Sequence, residues 1–180
     1  GRAVALLQQS LKTGKLAHAY LLAGPQHVGK MTLAIKLAQA LNCEAEEKPC
    51  LECTACKKIA AGTHADVQVV SLMQKENDTE FKVITIEQVK DVLHMASLPQ
   101  FEGKHKVFII DGAELLSPEA ANCRLKTLEE PEAKVTFILL TANDRLLLPT
   151  VVSRCQRMEL APLPIKEEAE ALAAGGKITP

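Results

Sequence analysis

The run from Tyr20 to Lys30, YLLAGPQHVGK, constrains the fold more than any other segment of this chain. An apolar, strand-like stretch leads into a glycine-bearing loop, and the loop opens directly into an amphipathic helix with a lysine at its first turn. Gly24, Gly29 and Lys30 match the G-x-x-x-x-G-K pattern, in which loop amides and a helix N-terminus surround phosphate oxygens and the lysine adds a mobile positive charge. A strand-to-helix phosphate loop belongs to an α/β fold with a parallel sheet, because its helix must cross back over the sheet.

The rest of the sequence repeats that alternation. Short apolar runs predict five strands at 18–23, 66–71, 106–111, 135–141 and 156–160, and helical periodicity predicts helices at 4–12, 30–41, 85–97, 117–129 and 165–174. Ser117-Pro118-Glu119 opens the fourth helix with a cap residue followed by proline at the first helical position. With 180 residues, 47% of them apolar, the chain has material for one good core. A net charge of −1 excludes a global basic field for nucleic acid, so any DNA contact is local or shared. No stretch approaches the roughly 18 apolar residues of a membrane span, and a reducing, cytoplasmic setting is expected.

The phosphate loop departs from its pattern at the residue after the lysine. Met31 stands where Ser or Thr normally offers a hydroxyl to Mg²⁺, a hard cation that a thioether serves poorly. Thr32 is turned about 100° further round the helix and does not replace it. His27 is bulkier than a loop glycine and holds the backbone away from a nucleotide. The strand KVFIID ends in Asp111, a carboxylate expected beside the loop, but Gly112 follows where a water-polarising Glu would help hydrolysis. Glu114 lies two positions too late for that place. The expectation is a vestigial nucleotide site without appreciable ATPase activity.

Four of the six cysteines, Cys43, Cys50, Cys53 and Cys56, have the spacing C-x6-C-x2-C-x2-C. That spacing lets four thiolates surround one ion and leaves no coordination position for water, so the expected site is a structural zinc; a four-thiolate Fe–S cluster is the alternative. Segment 43–58 then reads as an insertion after the second helix that cannot build a core alone. A zinc-dependent DNA-reading module is disfavoured, because Lys48, Lys57 and Lys58 are offset by Glu44, Glu46, Glu47 and Glu52 with no aromatic among them. The five histidines share no ligand spacing and read as structural. In LLLPTVVSRCQR, Arg154 stands just before the last strand; its rigid five-donor fork suits the phosphate oxygens of a neighbour, while on these residues alone a surface ion pair is the favoured role.

The ordered set LAHAYLLAGP, GK, the four cysteines, HADVQVV, GKHKVFIID, LKTLEEP and PTVVSRC resembles bacterial DNA polymerase III clamp-loader subunits from Ala17 to about Pro162. HADVQVVS, IEQVKDVL and DGAELLSPEAAN look more like the delta-prime type than the active gamma/tau type, whose phosphate loop is intact and whose Asp is followed by Glu. The resemblance implies an AAA+ core over 1–162, the start of a helical lid over 163–180, and a collar farther on. It implies that Arg154 acts in trans on a neighbour's ATP, with a sensor near Thr141 or Asn143. The implied partners are gamma/tau and delta subunits, and through them the sliding clamp and primed DNA; an active gamma/tau-type ATPase is the alternative. Arg124 departs from the family, replacing an apolar residue on a helix that buries Leu125 and Leu128, and is expected to snorkel outward, the alternative being an acidic partner.

Overall fold

The computed structural model describes residues 2–13, 17–25, 28–46, 49–71, 84, 86–98, 104–117, 119 and 134–160. Five strands, β1 (Ala19–Ala23), β2 (Val67–Val70), β3 (Lys106–Asp111), β4 (Val135–Thr141) and β5 (Gln156–Glu159), form one parallel sheet in the order β2-β3-β4-β1-β5. Each agrees with its expected span to within a residue at either end. The described helices are α1 (Arg2–Thr13), α2 (Lys30–Asn42), α3 (Thr54–Ala61), α4 (Ile86–Ser97) and the single turn α5 (Pro149–Val152). The helix expected over 117–129 falls almost wholly outside the described residues. His27, Arg124, the helix over 165–174 and the lid segment over 163–180 lie outside them entirely.

Strand periodicity sorts the core into two layers, because successive side chains of a strand point to opposite faces of the sheet. Tyr20 and Leu22 of β1, Val107 and Ile109 of β3, and Ile138 and Leu140 of β4 face α2 and α3, with Leu7 of α1 joining them. Ala19, Leu21, Phe108, Ile110, Phe137 and Leu139 face α4 on the other side. Phe108 and Phe137 stack there with ring centroids 5.5 Å apart. α2 meets its layer through Ala34, Leu37, Ala38 and Leu41, the i, i+3, i+4, i+7 stripe of an amphipathic helix. Both faces of β1, β3 and β4 are therefore covered, which explains why their sequences are continuously apolar rather than alternating. Truncating a core side chain such as Ile138 or Leu139 to alanine would cost about 2–5 kcal/mol.

The cysteine-rich segment runs past the expected bounds of 43–58. It continues into α3 as far as Ala61, and Ile59, 2% exposed, joins the core beside α2. The sheet places two regions at opposite ends of α2: its N-terminus leaves the phosphate loop at the C-terminal end of β1, and its C-terminus runs into Cys43.

Candidate functional site

At the N-terminal end of α2, Gly24 and Gly29 are both required by geometry. A side chain on Gly24 would bring its Cβ to 2.4 Å from the Leu160 carbonyl oxygen, because β5 passes directly behind the loop. Gly29 caps α2 at φ +87°, a left-handed conformation that L side chains rarely adopt. Lys30 turns back onto its own loop: Nζ donates to the Gly24 carbonyl and to the Pro25 carbonyl, the latter at 3.0 Å. Partial burial lowers the Lys30 pKa, while the charges of Glu114 and then Asp111 oppose that shift. Met31 is half-buried against the α2 layer of the core.

Register brings the other expected residues to the same end of the sheet. Ala23 pairs with Thr141 and Asp111 with Leu140, and the Gly24 amide donates to the Thr141 carbonyl at 3.1 Å. Asp111 is exposed at the tip of β3. Thr141 is 1% exposed, and its hydroxyl accepts from the Asn143 amide at 3.2 Å; the exposed Asn143 side chain in turn caps a short 3-10 turn by accepting from Arg145. Glu114 sits on the 3-10 turn after Gly112, with a buried Oε2 that has no hydrogen-bond partner among the described residues.

At the other end of α2, the Sγ atoms of Cys43, Cys50, Cys53 and Cys56 all lie within 4.8 Å of one another. Four thiolates about 2.3 Å from one tetrahedral ion stand roughly 3.8 Å apart, so this donor set is compatible with such an ion and supplies all four corners. Backbone amides point at three of the sulfurs: Ala45 and Cys50 donate to Cys43 Sγ, Glu52 and Cys53 to Cys50 Sγ, and Cys56 to Cys53 Sγ, at 3.3–3.5 Å. Donation from the Glu44 and Cys56 amides brings Cys53 down to about 6. Burial pushes Cys56 up to about 12, so a bound cation would have to displace its proton. Burial also opposes ionisation of Cys43, but the Cys50 and Ala45 amides outweigh it and the net direction is down. Cys43 and Cys56 are fully buried, whereas Cys50 and Cys53 are only partly so.

Arg154 lies at neither of these sites. It follows α5 and precedes Gln156, which pairs with Tyr20 at the N-terminal end of β1. Four residues of strand, about 13 Å at about 3.3 Å each, separate that level from Gly24. Its guanidinium donates to the Thr150 carbonyl at 2.7 Å. Nearby, Arg157 pairs with Asp144, and Leu146 is 67% exposed.

Residues 1–164 match the family model described as "DNA polymerase III, delta subunit". The chain belongs to this family. It is 39% identical over 150 residues to the DNA polymerase III subunit delta' of Pseudomonas aeruginosa, covering 82% of this chain and 44% of that protein. It is also 36% identical over 155 residues to the subunit tau of Bacillus subtilis, covering 85% of this chain and 26% of that protein. This member of the family thus spans between a quarter and a half of these relatives' length. Among solved structures, a gamma subunit-related protein of Thermotoga maritima superposes with a TM-score of 0.67 at 19% identity, over 96% of this chain and 51% of that one. The Thermotoga maritima RuvB Holliday junction branch migration motor superposes at 0.58 with 22% identity, over 97% and 49%. These likenesses establish the AAA+ fold. Among the described residues, no helix is long and apolar enough to cross a membrane.

Proposed function

We propose that this chain is the AAA+ portion of a delta-prime-type clamp-loader subunit, which hydrolyses no ATP itself and offers Arg154 to the ATP of an adjacent gamma/tau-type subunit. Its partners are gamma/tau and delta subunits, and through the assembled complex the sliding clamp and primed DNA, in the cytoplasm. The four cysteines hold a structural zinc ion that fastens the module to α2.

One observation carries the reading: the end of the sheet that bears Lys30 has no oxygen donor at position 31, and Arg154 stands at the opposite end. Met31 turns a thioether into the core where a metal-binding hydroxyl belongs. Arg154 precedes the start of β5, whose first residue pairs with Tyr20 about 13 Å of strand from Gly24, and this supports a role toward a neighbour's phosphates rather than its own. The competing reading is an active gamma/tau-type ATPase, favoured by the comparable identity to a tau subunit.

The test reconstitutes the clamp loader with the protein carrying this chain. Arg154→Ala should lower clamp-stimulated ATP turnover at the adjoining site by about 10³-fold, the low end for a trans-acting arginine, with zinc content and melting temperature unchanged. Unchanged turnover overturns the trans role. Steady phosphate release by the chain alone, abolished by Lys30→Ala, would replace this reading with the gamma/tau one.

A further inference from the structure

The last turn of α2 carries two buried carboxamides whose recorded partners are backbone groups rather than other side chains. Gln39, 4% exposed, donates from Nε2 to the Cys56 carbonyl at 2.9 Å. Asn42, 1% exposed, donates from Nδ2 to the Ala38 carbonyl at 3.1 Å. Its Oδ1 accepts from two consecutive amides, those of Lys104 at 2.9 Å and His105 at 3.0 Å, just ahead of β3. Lys104 then reaches back, its Nζ donating to the Cys43 carbonyl at 3.1 Å. Gln39 and Asn42 are three residues apart and share a helix face. Asn42 donates from its amide nitrogen and accepts twice at its amide oxygen, a combination that a carboxamide supplies. Leucine in its place would leave two buried amides without a partner.

These bonds divide the four cysteines into two unequal pairs. Cys43 follows Asn42 directly, and its carbonyl is held by Lys104; Cys56 lies on α3, and its carbonyl is held by Gln39. Both thiols are fully buried. Cys50 and Cys53 lie on the more exposed turn, where amides of the module hold their sulfurs as they also hold that of Cys43. We infer that Gln39 and Asn42 are positioning residues of the metal centre, holding Cys43 and Cys56 in ligand geometry from α2 so that the ion has only to close the Cys50–Cys53 turn. The inference rests on the reading of the cluster as a zinc site. Neither carboxamide belongs to the ligand cluster; each acts on a cysteine through that residue's backbone or its neighbour's. Outer partners that orient metal ligands in this way are worth 10- to 100-fold in affinity.

The test uses the 180-residue chain and zinc ion alone, with affinity read by competition against a chromophoric chelator. Asn42→Ala should weaken zinc binding 10- to 100-fold, and Gln39→Leu, which keeps most of the side-chain volume, about tenfold. Both should still bind one ion, with the absorption of four-thiolate coordination when cobalt replaces zinc. A merely structural role would destabilise the metal-free and metal-loaded chains equally and leave affinity unchanged, because binding energy is the difference between the two. If Asn42→Ala does not fold, the Gln39→Leu affinity decides. Wild-type binding with unchanged variant affinities overturns this inference alone, whereas a wild-type chain that binds no zinc removes the metal reading and the inference together.

Discussion

The two ends of α2 use internal hydrogen bonds in opposite ways. At the N-terminus, Lys30 spends its ammonium on the carbonyls of Gly24 and Pro25, so a phosphate would have to compete with bonds the chain already makes. At the C-terminus, backbone amides point at the sulfurs of Cys43, Cys50 and Cys53, Gln39 holds the Cys56 carbonyl, and Lys104, whose amide donates to Asn42, holds the Cys43 carbonyl, so the bonds already made gather the ligand set. The same helix thus carries one site whose internal contacts compete with a ligand and one whose internal contacts prepare for it. Counting ligand-type residues would not separate the two; asking what each group is already bonded to does.

The largest expected effect breaks this comparison most directly. Cys56→Ala, or chelation of the wild-type protein, should lower unfolding free energy by about 3–5 kcal/mol. That is below the ~10–16 kcal/mol of isolated zinc modules, because here the sheet keeps a core of its own. Lys30→Ala at the other end should change stability by about 0.5 kcal/mol or less, since its bonds lie at a partly exposed loop. Urea unfolding followed beside zinc content measures both. Equal losses at the two ends would erase the distinction drawn here.

A smaller effect sharpens the view of the phosphate end. Met31→Thr returns an oxygen donor to the place where magnesium would bind, and should tighten Mg²⁺-dependent ATP binding by about tenfold, roughly 1.4 kcal/mol. On the proposed reading no turnover is gained, because Gly112 stands where a water-polarising Glu would. Calorimetric titration with and without magnesium checks the first point and phosphate release the second. Unchanged affinity would assign the defect to the Lys30 bonds rather than to the missing hydroxyl.

The sheet was legible because β1, β3 and β4 are apolar on both faces and bounded by turn residues, a pattern that survives without knowledge of partners. Convergence of the four cysteines was legible from spacing alone. What escaped detection depends on contacts distant in sequence. Gln39 and Asn42 look like ordinary polar positions of an amphipathic helix, and Asn42 acquires its meaning only from amides 62 and 63 residues away. The extension of α3 to Ala61 is not legible from the cysteine spacing and the charges that bound the segment at 58, because Ile59 shows its role only by packing against α2. Glu114 stands on the 3-10 turn after the left-handed Gly112, and that its charge acts on Lys30 together with that of Asp111 depends on a turn the strand pattern does not encode.

The smallest expected effect tests how firmly the cysteine turn is held. Leu51, between Cys50 and Glu52, has φ +65° and is half exposed, a conformation that costs a non-glycine residue about 1–2 kcal/mol. Glycine would remove that cost but add about 0.5–1 kcal/mol of unfolded-state entropy, leaving a net gain of about 0.5 kcal/mol. The amides of Glu52 and Cys53 that donate to Cys50 Sγ are untouched by the change. The gain should therefore appear in the zinc-loaded protein and shrink in the chelated one, where nothing obliges Leu51 to keep a left-handed backbone. Paired unfolding curves of wild type and Leu51→Gly with and without zinc measure the difference. An equal gain in both states would mean that the Cys50–Cys53 turn is as fixed without the ion as with it.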